Sequence, residues 1–313
     1  MKHIDTVPKS LEGRNVLFIS PVFHYYHLSI ISALERAGAT VHYIPTISPE
    51  ATATSARNYY MSQFQGVKER DFDFFFQIRG ENIPVEIYRT FSGRNTVLIT
   101  YQWDSIANYD YTPLLPFFSK TYSFDRGDCE NYGGLTYLPM FHEMEAGTGG
   151  RNRYKIFMVG GFAYWRYIVA REIQMICNRN LVPYYIKLKL PATTLIRAVA
   201  NGKFLDPKII TLKKCSKEKY FDFLHSSEIV LDIPSPSQQG LTIRSIEAIT
   251  AGKKLITSNA NIAKEDFYSK EQVLILKDEI DERKVLSFIY SPSPKPPDMS
   301  TYRIDHWIST IFS

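Results

Sequence analysis

A stretch near residue 240 combines a loop, a helix start and a strand in an order that suits anion binding. Two prolines and a glycine prevent regular structure in Pro234–Leu241, directly after the apolar run Glu228–Asp232. Thr242 is a favourable N-cap for a helix over Ile243–Ala251, and Gly252 ends that helix before the next apolar run. At the carboxyl edge of a parallel sheet, such a helix start directs N–H groups and the positive end of the helix dipole at a ligand. The segment therefore predicts a site for a phosphate-bearing ligand.

Two charged side chains on the predicted helix extend this site. Arg244 lies in the first turn, where its guanidinium can add a fixed cation to a diphosphate. Glu247 lies one turn further along, where its carboxylate can accept both hydroxyl protons of a ribose. The alternative for Glu247 is a carboxylate on the helix surface that pairs with Lys253 or Lys254.

The residues GLTIRSIEAITAGKKLIT resemble the donor-binding segment of GT-B glycosyltransferases, particularly the transferases encoded with bacterial capsule, exopolysaccharide and lipopolysaccharide genes. Four further pieces resemble the same group: TYQWDSIANY, YSFDRGDC, YLPMF and NANIAKEDFY. The resemblance implies an α/β fold of two Rossmann-like domains that face each other across a cleft. It also implies that Glu247 binds the nucleotide ribose and that Gly240, Thr242 and Arg244 bind the diphosphate, with Gln239 in the same donor site.

A second group of candidate donor-binding residues follows the apolar run Lys155–Val159. Gly160 and Gly161 stand where a backbone must approach a ligand closely, and Arg166 lies a few residues further on. Lys187 leaves the next apolar run. In many GT-B enzymes a basic pair in this neighbourhood replaces a metal ion in neutralising the leaving diphosphate. Arg166 and Lys187 are the candidates here, and surface placement is the alternative for both.

Candidates for a general base follow the apolar runs of the first half. Inversion at the anomeric carbon needs a base that takes the proton of the acceptor hydroxyl, whereas retention needs none. Asp104 and His24 are the preferred catalytic candidates, and the sequence does not separate them. Asp125 and Asp128 stand in a comparable position. For Asp104, the structural alternative is capping of a short helix.

Metal-dependent and dinucleotide-dependent chemistry is disfavoured. Asp71-Phe72-Asp73 matches the DxD motif of manganese-dependent GT-A transferases, but it precedes an apolar strand instead of ending one, so strand entry is the better interpretation. The glycines of Gly147–Gly150 lack a preceding strand and a following helix, and no GxxxxGK[ST] motif exists. We therefore predict no metal and no cofactor, with the nucleotide-sugar as substrate.

Buried strands alternate with helix-sized intervals along the whole chain, which is typical of parallel α/β folds. The predicted strands are Val16–Ser20, Thr40–Ile44, Phe72–Ile78, Thr96–Thr100, Lys120–Phe124, Leu135–Leu138, Lys155–Val159, Tyr184–Leu188, Lys208–Leu212, Glu228–Asp232, Lys254–Thr257 and Gln272–Leu276. The Gly-rich stretch Glu145–Arg153 predicts a linker between an acceptor-binding domain (1–148) and a nucleotide-sugar-binding domain (149–290). A Pro-rich segment and a terminal helix (291–313) are expected to pack back on the first domain.

Composition limits the partners. At 313 residues the chain is long enough for two domains, and the net charge of +5 suits an anionic small ligand but not nucleic acid. Six lysines between Lys203 and Lys219 form a basic stretch, interpreted as a solvated surface with a phospholipid-facing patch as the alternative. The three cysteines form no CxxC pair or Cys/His cluster.

The N-terminal residues lack the apolar core of a signal peptide, and no apolar run is long enough to span a bilayer. We therefore expect a cytoplasmic protein, at most peripheral at the inner face of the cell membrane.

The leading hypothesis is a metal-independent transfer of a sugar from a nucleotide-sugar to a cell-surface polysaccharide or lipopolysaccharide, with a glycan or glycolipid as acceptor. One alternative is a polyol-phosphate transferase that uses CDP-glycerol. Such enzymes usually carry histidine motifs in the donor half, where this chain has only His225. A second alternative is a non-catalytic two-lobed protein that binds sugar or nucleotide without turnover.

Overall fold

The computed structural model of the chain describes residues 11–48, 50–144, 153–202 and 204–313. Contacts divide it into two compact units. Unit 1 contains the described residues up to Glu143 together with 237–240 and 300–313, and unit 2 contains 144–236 and 241–299. The predicted linker Glu145–Arg153 lies, apart from Arg153, outside the described residues, as does the predicted boundary after residue 148.

Unit 1 is a parallel sheet with helices between its strands. Its strands are β1 (Asn15–Ser20), β2 (Thr40–Pro45), β3 (Phe74–Ile78), β4 (Val97–Gln102), β5 (Lys120–Ser123) and β6 (Thr136–Tyr137). Its helices are α1 (Tyr26–Arg36), α2 (Ala53–Gln65), α3 (Val85–Ser92) and α4 (Arg126–Asn131), with a 3-10 helix at Thr112–Phe117. The strand order is β2-β1-β3-β4-β5-β6, so the chain changes direction across the sheet between β1 and β3.

Aromatic side chains build both faces of this sheet. On one face Phe75 packs beside Phe91, their ring centroids 5.3 Å apart. On the other face Phe76 lies 5.3 Å from Phe312, which belongs to the C-terminal helix of unit 1 (Ile304–Phe312). Trp307 of that helix, 1% exposed, packs against the same face. Much of the chain's high aromatic content is thus core packing.

Unit 2 repeats the pattern. Its strands are β7 (Tyr154–Gly161), β8 (Tyr184–Lys189), β9 (Ile210–Thr211), β10 (Ser227–Asp232), β11 (Lys254–Thr257) and β12 (Val273–Ile275). Its helices are α5 (Tyr164–Arg179), α6 (Ala192–Ala200), α7 (Lys217–His225), α8 (Ile243–Thr250) and α9 (Glu282–Tyr290), with a 3-10 helix at Ala260–Lys264. The C-terminal helix of unit 1 follows as α10. The parallel strand order is β12-β11-β10-β7-β8-β9.

The strand predictions are confirmed, because each predicted run overlaps a strand of the structure. The predicted and observed strand ends differ most where only part of the predicted run pairs with a neighbouring strand. The third strand begins at Phe74 instead of Phe72, and β9 keeps only two residues of the predicted Lys208–Leu212. The prediction of two Rossmann-like units, each a parallel sheet with intervening helices, is confirmed.

Candidate functional site

The carboxyl edge of the unit 2 sheet has a switch point between β7 and β10, and we call the space above these two strand ends the crevice. These strands are neighbours, but the chain leaves them toward opposite sides of the sheet, β8 on one side and β11 on the other. Ligands of open α/β sheets bind at such a switch point, because the two departing connections leave a gap above the strand ends. Gly160 and Gly161 end β7, and Asp232 ends β10.

Asp232 organises the β10 side of this crevice. Its carboxylate is 1% exposed and accepts hydrogen bonds from the hydroxyls of Thr242 and Ser245, the second at 2.9 Å. It also pairs with Nε of Arg244 at 3.1 Å. Asp232 therefore ties the start of α8 to the end of β10 and fixes the direction of Arg244. Sequence analysis missed this residue. The sequence feature that could have identified Asp232 is its position at the end of the buried run EIVLD, directly before the loop.

Two arginines lie together at the crevice. Arg166 donates 2.6 Å hydrogen bonds to the carbonyls of Ile233 and Gly161, one residue at the end of each strand. A Cβ on Gly160 would lie 3.5 Å from Nη1 of Arg244 and 3.8 Å from Cδ of Arg166. Burial lowers the pKa of the Arg166 guanidinium, and the charge of Arg244 lowers it further. Two guanidinium groups around one carboxylate give the crevice an excess of positive charge.

Helix α8 begins at the same place. Thr242 is its N-cap, and the threonine side chain accepts a 3.2 Å hydrogen bond from the Ser245 amide. The predicted cap is confirmed, and the helix ends one residue earlier than predicted, before Gly252 in a left-handed conformation. The positive end of the helix dipole thus adds to the two guanidinium groups, an arrangement that favours a phosphate.

Glu247 lies one turn further along α8 and is 1% exposed. Its Oε2 accepts a 2.8 Å hydrogen bond from the hydroxyl of Tyr220. The alternative of a surface carboxylate paired with lysine is wrong, since Lys253 donates to the His225 carbonyl and Lys254 to carbonyls at the end of α9. A buried carboxylate held by a tyrosine is compatible with ribose binding, which stays a prediction.

Three predicted donor-binding residues do not join this cluster. The ammonium of Lys187 donates a 2.7 Å hydrogen bond to the carbonyl of Lys208, on the β9 side of the sheet. Gln239 and Gly240 belong to unit 1, where both of their amides donate 3.1 Å hydrogen bonds to Asp125. Gly240 is required there because a Cβ would lie 2.6 Å from the ring of Phe124.

The carboxyl edge of the unit 1 sheet carries Asp104, just after β4. Its Oδ2 lies 3.1 Å from Nη1 of Arg79, and the same guanidinium pairs with Glu81 at 2.6 Å. Burial raises the pKa of the Asp104 carboxyl above its ordinary value, although the Arg79 charge acts to lower it. A carboxyl with a raised pKa is suited to accept a proton near neutral pH.

His24 lies after β1 on the same edge. It is exposed, and its ring meets the ring of Phe23 edge-on at a centroid distance of 4.6 Å. His24 has a positive φ of +50°. Arg79 and Asn82, which follow β3, also have positive φ values, +68° and +61°. Non-glycine residues in the left-handed region are costly and are concentrated at functional sites. Asp104 and His24, the two catalytic candidates, both lie at the carboxyl edge of the unit 1 sheet.

Three further aspartates of unit 1 have structural roles. Asp125 is buried, caps α4 through the amides of Gly127 and Asp128, and accepts the Ser105 hydroxyl. Asp128 accepts from the Tyr111 hydroxyl and the Ile106 amide. Asp73 pairs with Arg14 at 2.7 Å and accepts the Asn15 amide, so the DxD match serves strand entry as predicted.

Within the described ranges, no group of three or more His, Cys, Asp and Glu side chains is arranged to hold a metal ion. A search of the same residues finds no helix with the length and apolar character needed to cross a membrane.

Comparison with known proteins agrees with this fold. The UDP-GlcNAc 2-epimerase of Methanocaldococcus jannaschii is 10% identical, with a TM-score of 0.59 over 95% of this chain and 99% of that one. Its structure in complex with UDP-GlcNAc and UDP gives a TM-score of 0.54 at 11% identity, over 95% and 98%. A glycosyltransferase of Rickettsia africae gives 0.54 at 11% identity, over 96% and 94%. No protein-family model matches the sequence, and no curated protein matches it.

At these identities the likeness establishes the fold. The predicted GT-B resemblance is therefore confirmed at that level, and the structural neighbours include UDP-GlcNAc 2-epimerases and a glycosyltransferase.

Proposed function

We propose that the chain is a metal-independent glycosyltransferase that takes its sugar from a nucleoside diphosphate donor bound at the β7/β10 crevice. The observation that carries this proposal is the convergence of Arg166, Arg244 and the start of α8 around Gly160. Two fixed cations and a helix N-terminus can stabilise the negative charge that develops on a leaving diphosphate without a metal ion. The acceptor, by the sequence resemblance, is a cell-surface glycan or glycolipid.

In this proposal Glu247 accepts hydrogen bonds from the ribose and Asp232 holds Arg244 in place. When the bond between the anomeric carbon and the diphosphate oxygen breaks, the acceptor oxygen bonds to that carbon and its proton must leave. Asp104 is the preferred proton acceptor, since its pKa is raised by burial and Arg79 fixes its position. His24 remains the alternative base if the anomeric carbon is inverted.

The structural neighbours include UDP-GlcNAc 2-epimerases, so epimerisation of the donor is a second candidate. The two reactions differ in their products. Transfer releases the nucleoside diphosphate and consumes the donor, whereas epimerisation converts one nucleotide-sugar into another. NMR of the sugar during turnover separates them.

The first experiment is a thermal-shift screen with UDP, GDP, CDP, ADP and dTDP. We expect one nucleotide, at 100 times its Kd, to stabilise the wild type by about 2.7 kcal/mol. Arg244→Gln and Glu247→Gln should lose most of that shift. Arg179→Gln, in the same unit but in an exposed pair with Glu282, is the matched control and should keep it. Absence of any shift from folded wild type would contradict the donor site.

A shift without turnover would instead favour the non-catalytic binding protein. Turnover with CDP-glycerol and with no nucleotide-sugar would favour the polyol-phosphate transferase.

A further inference from the structure

Helix α6 has an apolar stripe that the described residues of the chain leave largely exposed. Ala192, Leu195, Ile196 and Val199 recur at the i, i+3, i+4, i+7 spacing that normally faces a core. Yet α6 has no buried residue, and Ile196 and Val199 are 69% and 66% exposed. An exposed apolar stripe of this kind marks an interaction surface.

Further exposed apolar side chains follow α6 in the same part of unit 2. Phe204 is 79% exposed and Leu212, directly after β9, is 52% exposed. The amide of Leu190 donates to the carbonyl of Thr211 at 2.9 Å, so the chain enters α6 beside the point where it leaves β9. Helix α6 and Leu212 therefore start from the same edge of the sheet, at its β9 side.

The same region is strongly basic. Between positions 187 and 219 the sequence has nine Lys and Arg against two Asp and Glu, a net +7, whereas the whole chain has +5. Lys189, Arg197, Lys213 and Lys214 are exposed in the structure. The excess positive charge of the chain is thus concentrated in the stretch of sequence that contains its exposed apolar helix.

We propose that this region, the α6 patch (Ala192–Ala200 with Leu212–Lys214), docks on the surface of a lipid bilayer that contains anionic headgroups. Apolar side chains of an amphipathic helix enter the boundary between headgroups and acyl chains, while basic residues beside them attract anionic lipids. Nine helical residues are far too few to span a bilayer, so α6 lies in the plane of the interface.

Two other partners suit the patch less well. Nucleic acid would use the cations but would gain little from exposed Ile196, Val199 and Phe204. A second copy of the chain would bring two strongly positive surfaces together, which is unfavourable in a symmetric contact. A negatively charged lipid surface is favourable for both the apolar and the basic residues.

The test is flotation of the full chain with vesicles of 30% phosphatidylglycerol in phosphatidylcholine, compared with phosphatidylcholine alone. We expect the wild type to float with the anionic vesicles. Lys213→Gln with Lys214→Gln should lower the partition coefficient about 30-fold, since each basic residue near an anionic surface contributes about fivefold. Ile196→Ser with Val199→Ser should lower it about tenfold or more.

Matched controls separate the patch from general effects. Ile168→Ser with Met175→Ser changes two exposed apolar residues on α5, and Lys277→Gln with Lys284→Gln removes two exposed cations elsewhere in unit 2. Both controls should float like the wild type. All variants should keep the wild-type melting temperature, because every altered side chain is exposed.

Three outcomes would overturn the proposal. The first is a wild type that stays out of the floating fraction with the anionic vesicles. The second is a variant, Ile196→Ser with Val199→Ser, that floats as completely as the wild type in 0.15 M salt. The third is a wild-type dimer, seen by light scattering, that the same serine variant converts to monomer, which would assign the patch to a second copy. None of these outcomes affects the nucleotide screen, so the two proposals fail separately.

Discussion

Both sheets are parallel and have a switch point, between β1 and β3 in unit 1 and between β7 and β10 in unit 2, but the charged groups at their carboxyl edges have opposite net charge. In unit 1 one guanidinium, Arg79, lies between two carboxylates, Asp104 and Glu81. In unit 2 one carboxylate, Asp232, supports the edge where two guanidinium groups, Arg166 and Arg244, meet. Each fold supplies a crevice at its switch point, but the side chains at the strand ends decide which ligand charge that crevice favours.

The comparison teaches that the fold alone does not assign a function to either unit. The charges at the unit 2 edge favour an anionic ligand, whereas the unit 1 edge has a carboxyl, Asp104, whose pKa burial raises. The following predictions test this division of roles.

The largest expected effect is on turnover, through unit 1. Asp104→Asn should lower turnover by about 10²- to 10⁴-fold if Asp104 is the general base, while the nucleotide thermal shift stays unchanged. His24→Gln is the companion variant. Unchanged turnover of Asp104→Asn, with loss in His24→Gln, would assign the base to the histidine.

The pH dependence of turnover sharpens this assignment. A base must be deprotonated, so activity should fall as pH decreases through the pKa of Asp104, at a pH above the ordinary value of 3.8. The Arg79 charge lowers this pKa. Arg79→Gln should therefore move the acidic limb to higher pH, and a limb that stays in place would contradict the role of Asp104.

The next largest effect is on the stability of unit 2. Asp232→Ala leaves Arg244, Thr242 and Ser245 without their shared acceptor, and breaking a buried pair of this kind costs about 3–5 kcal/mol. Urea unfolding measures the cost. The nucleotide shift should also be lost, because Arg244 is no longer held. A variant that binds nucleotide with wild-type affinity would show that Asp232 does not position the site.

A further variant tests nucleotide binding at the site while leaving the stability of the fold nearly unchanged. Gly160→Ala adds a Cβ at ordinary contact distances from Arg244 and Arg166, so unfolding free energy should change by less than about 0.5 kcal/mol. The added methyl occupies the space where a diphosphate would approach, and nucleotide affinity should fall about tenfold, equivalent to about 1.4 kcal/mol. Gly133→Ala, open on all sides in unit 1, is the control and should leave affinity unchanged.

Local patterns predicted the fold and part of the unit 2 site. Buried parallel strands appear as continuous apolar runs, which is why each predicted run overlaps a strand. Thr242 and Arg244 could be placed from the sequence because a loop, a cap and a helix start are adjacent along the chain.

Contacts between distant residues could not be predicted in this way. Asp125 accepts a hydrogen bond from the amide of Gly240 across 115 positions, a contact that neither the local pattern nor the resemblance, which implied a diphosphate role for Gly240, could predict. The ion pair between Asp104 and Arg79 could not be predicted for the same reason, because the two residues are distant in the sequence. The apolar stripe of α6 has the spacing of a core-facing helix, and only its exposure in the folded unit distinguishes it.

The smallest expected effect concerns the DxD match in unit 1. Burial acts to raise the pKa of Asp73, but hydrogen bonds from the Asn15 amide and Arg14 lower it below its ordinary value. A lowered carboxyl pKa stabilises the fold at neutral pH, and this contribution is lost as pH falls through the lowered value. Asp73→Asn should therefore reduce unfolding free energy by about 1 kcal/mol at pH 7, with the difference shrinking as pH falls below 3.8 and disappearing below the lowered pKa of Asp73.

Urea unfolding at pH 7 and pH 3 measures this difference, and Asp71→Asn is the neighbouring control. Neither variant should change the nucleotide shift or turnover, with or without added Mn²⁺. A loss of Mn²⁺-dependent turnover in Asp73→Asn would place a metal-bound donor at unit 1 and reverse the division of roles between the two edges. The strand-entry role leaves that division of roles intact. The carboxylate of Asp73 accepts hydrogen bonds from Arg14 and the Asn15 amide at the amino end of β3, opposite to the carboxyl edge where Asp104 lies.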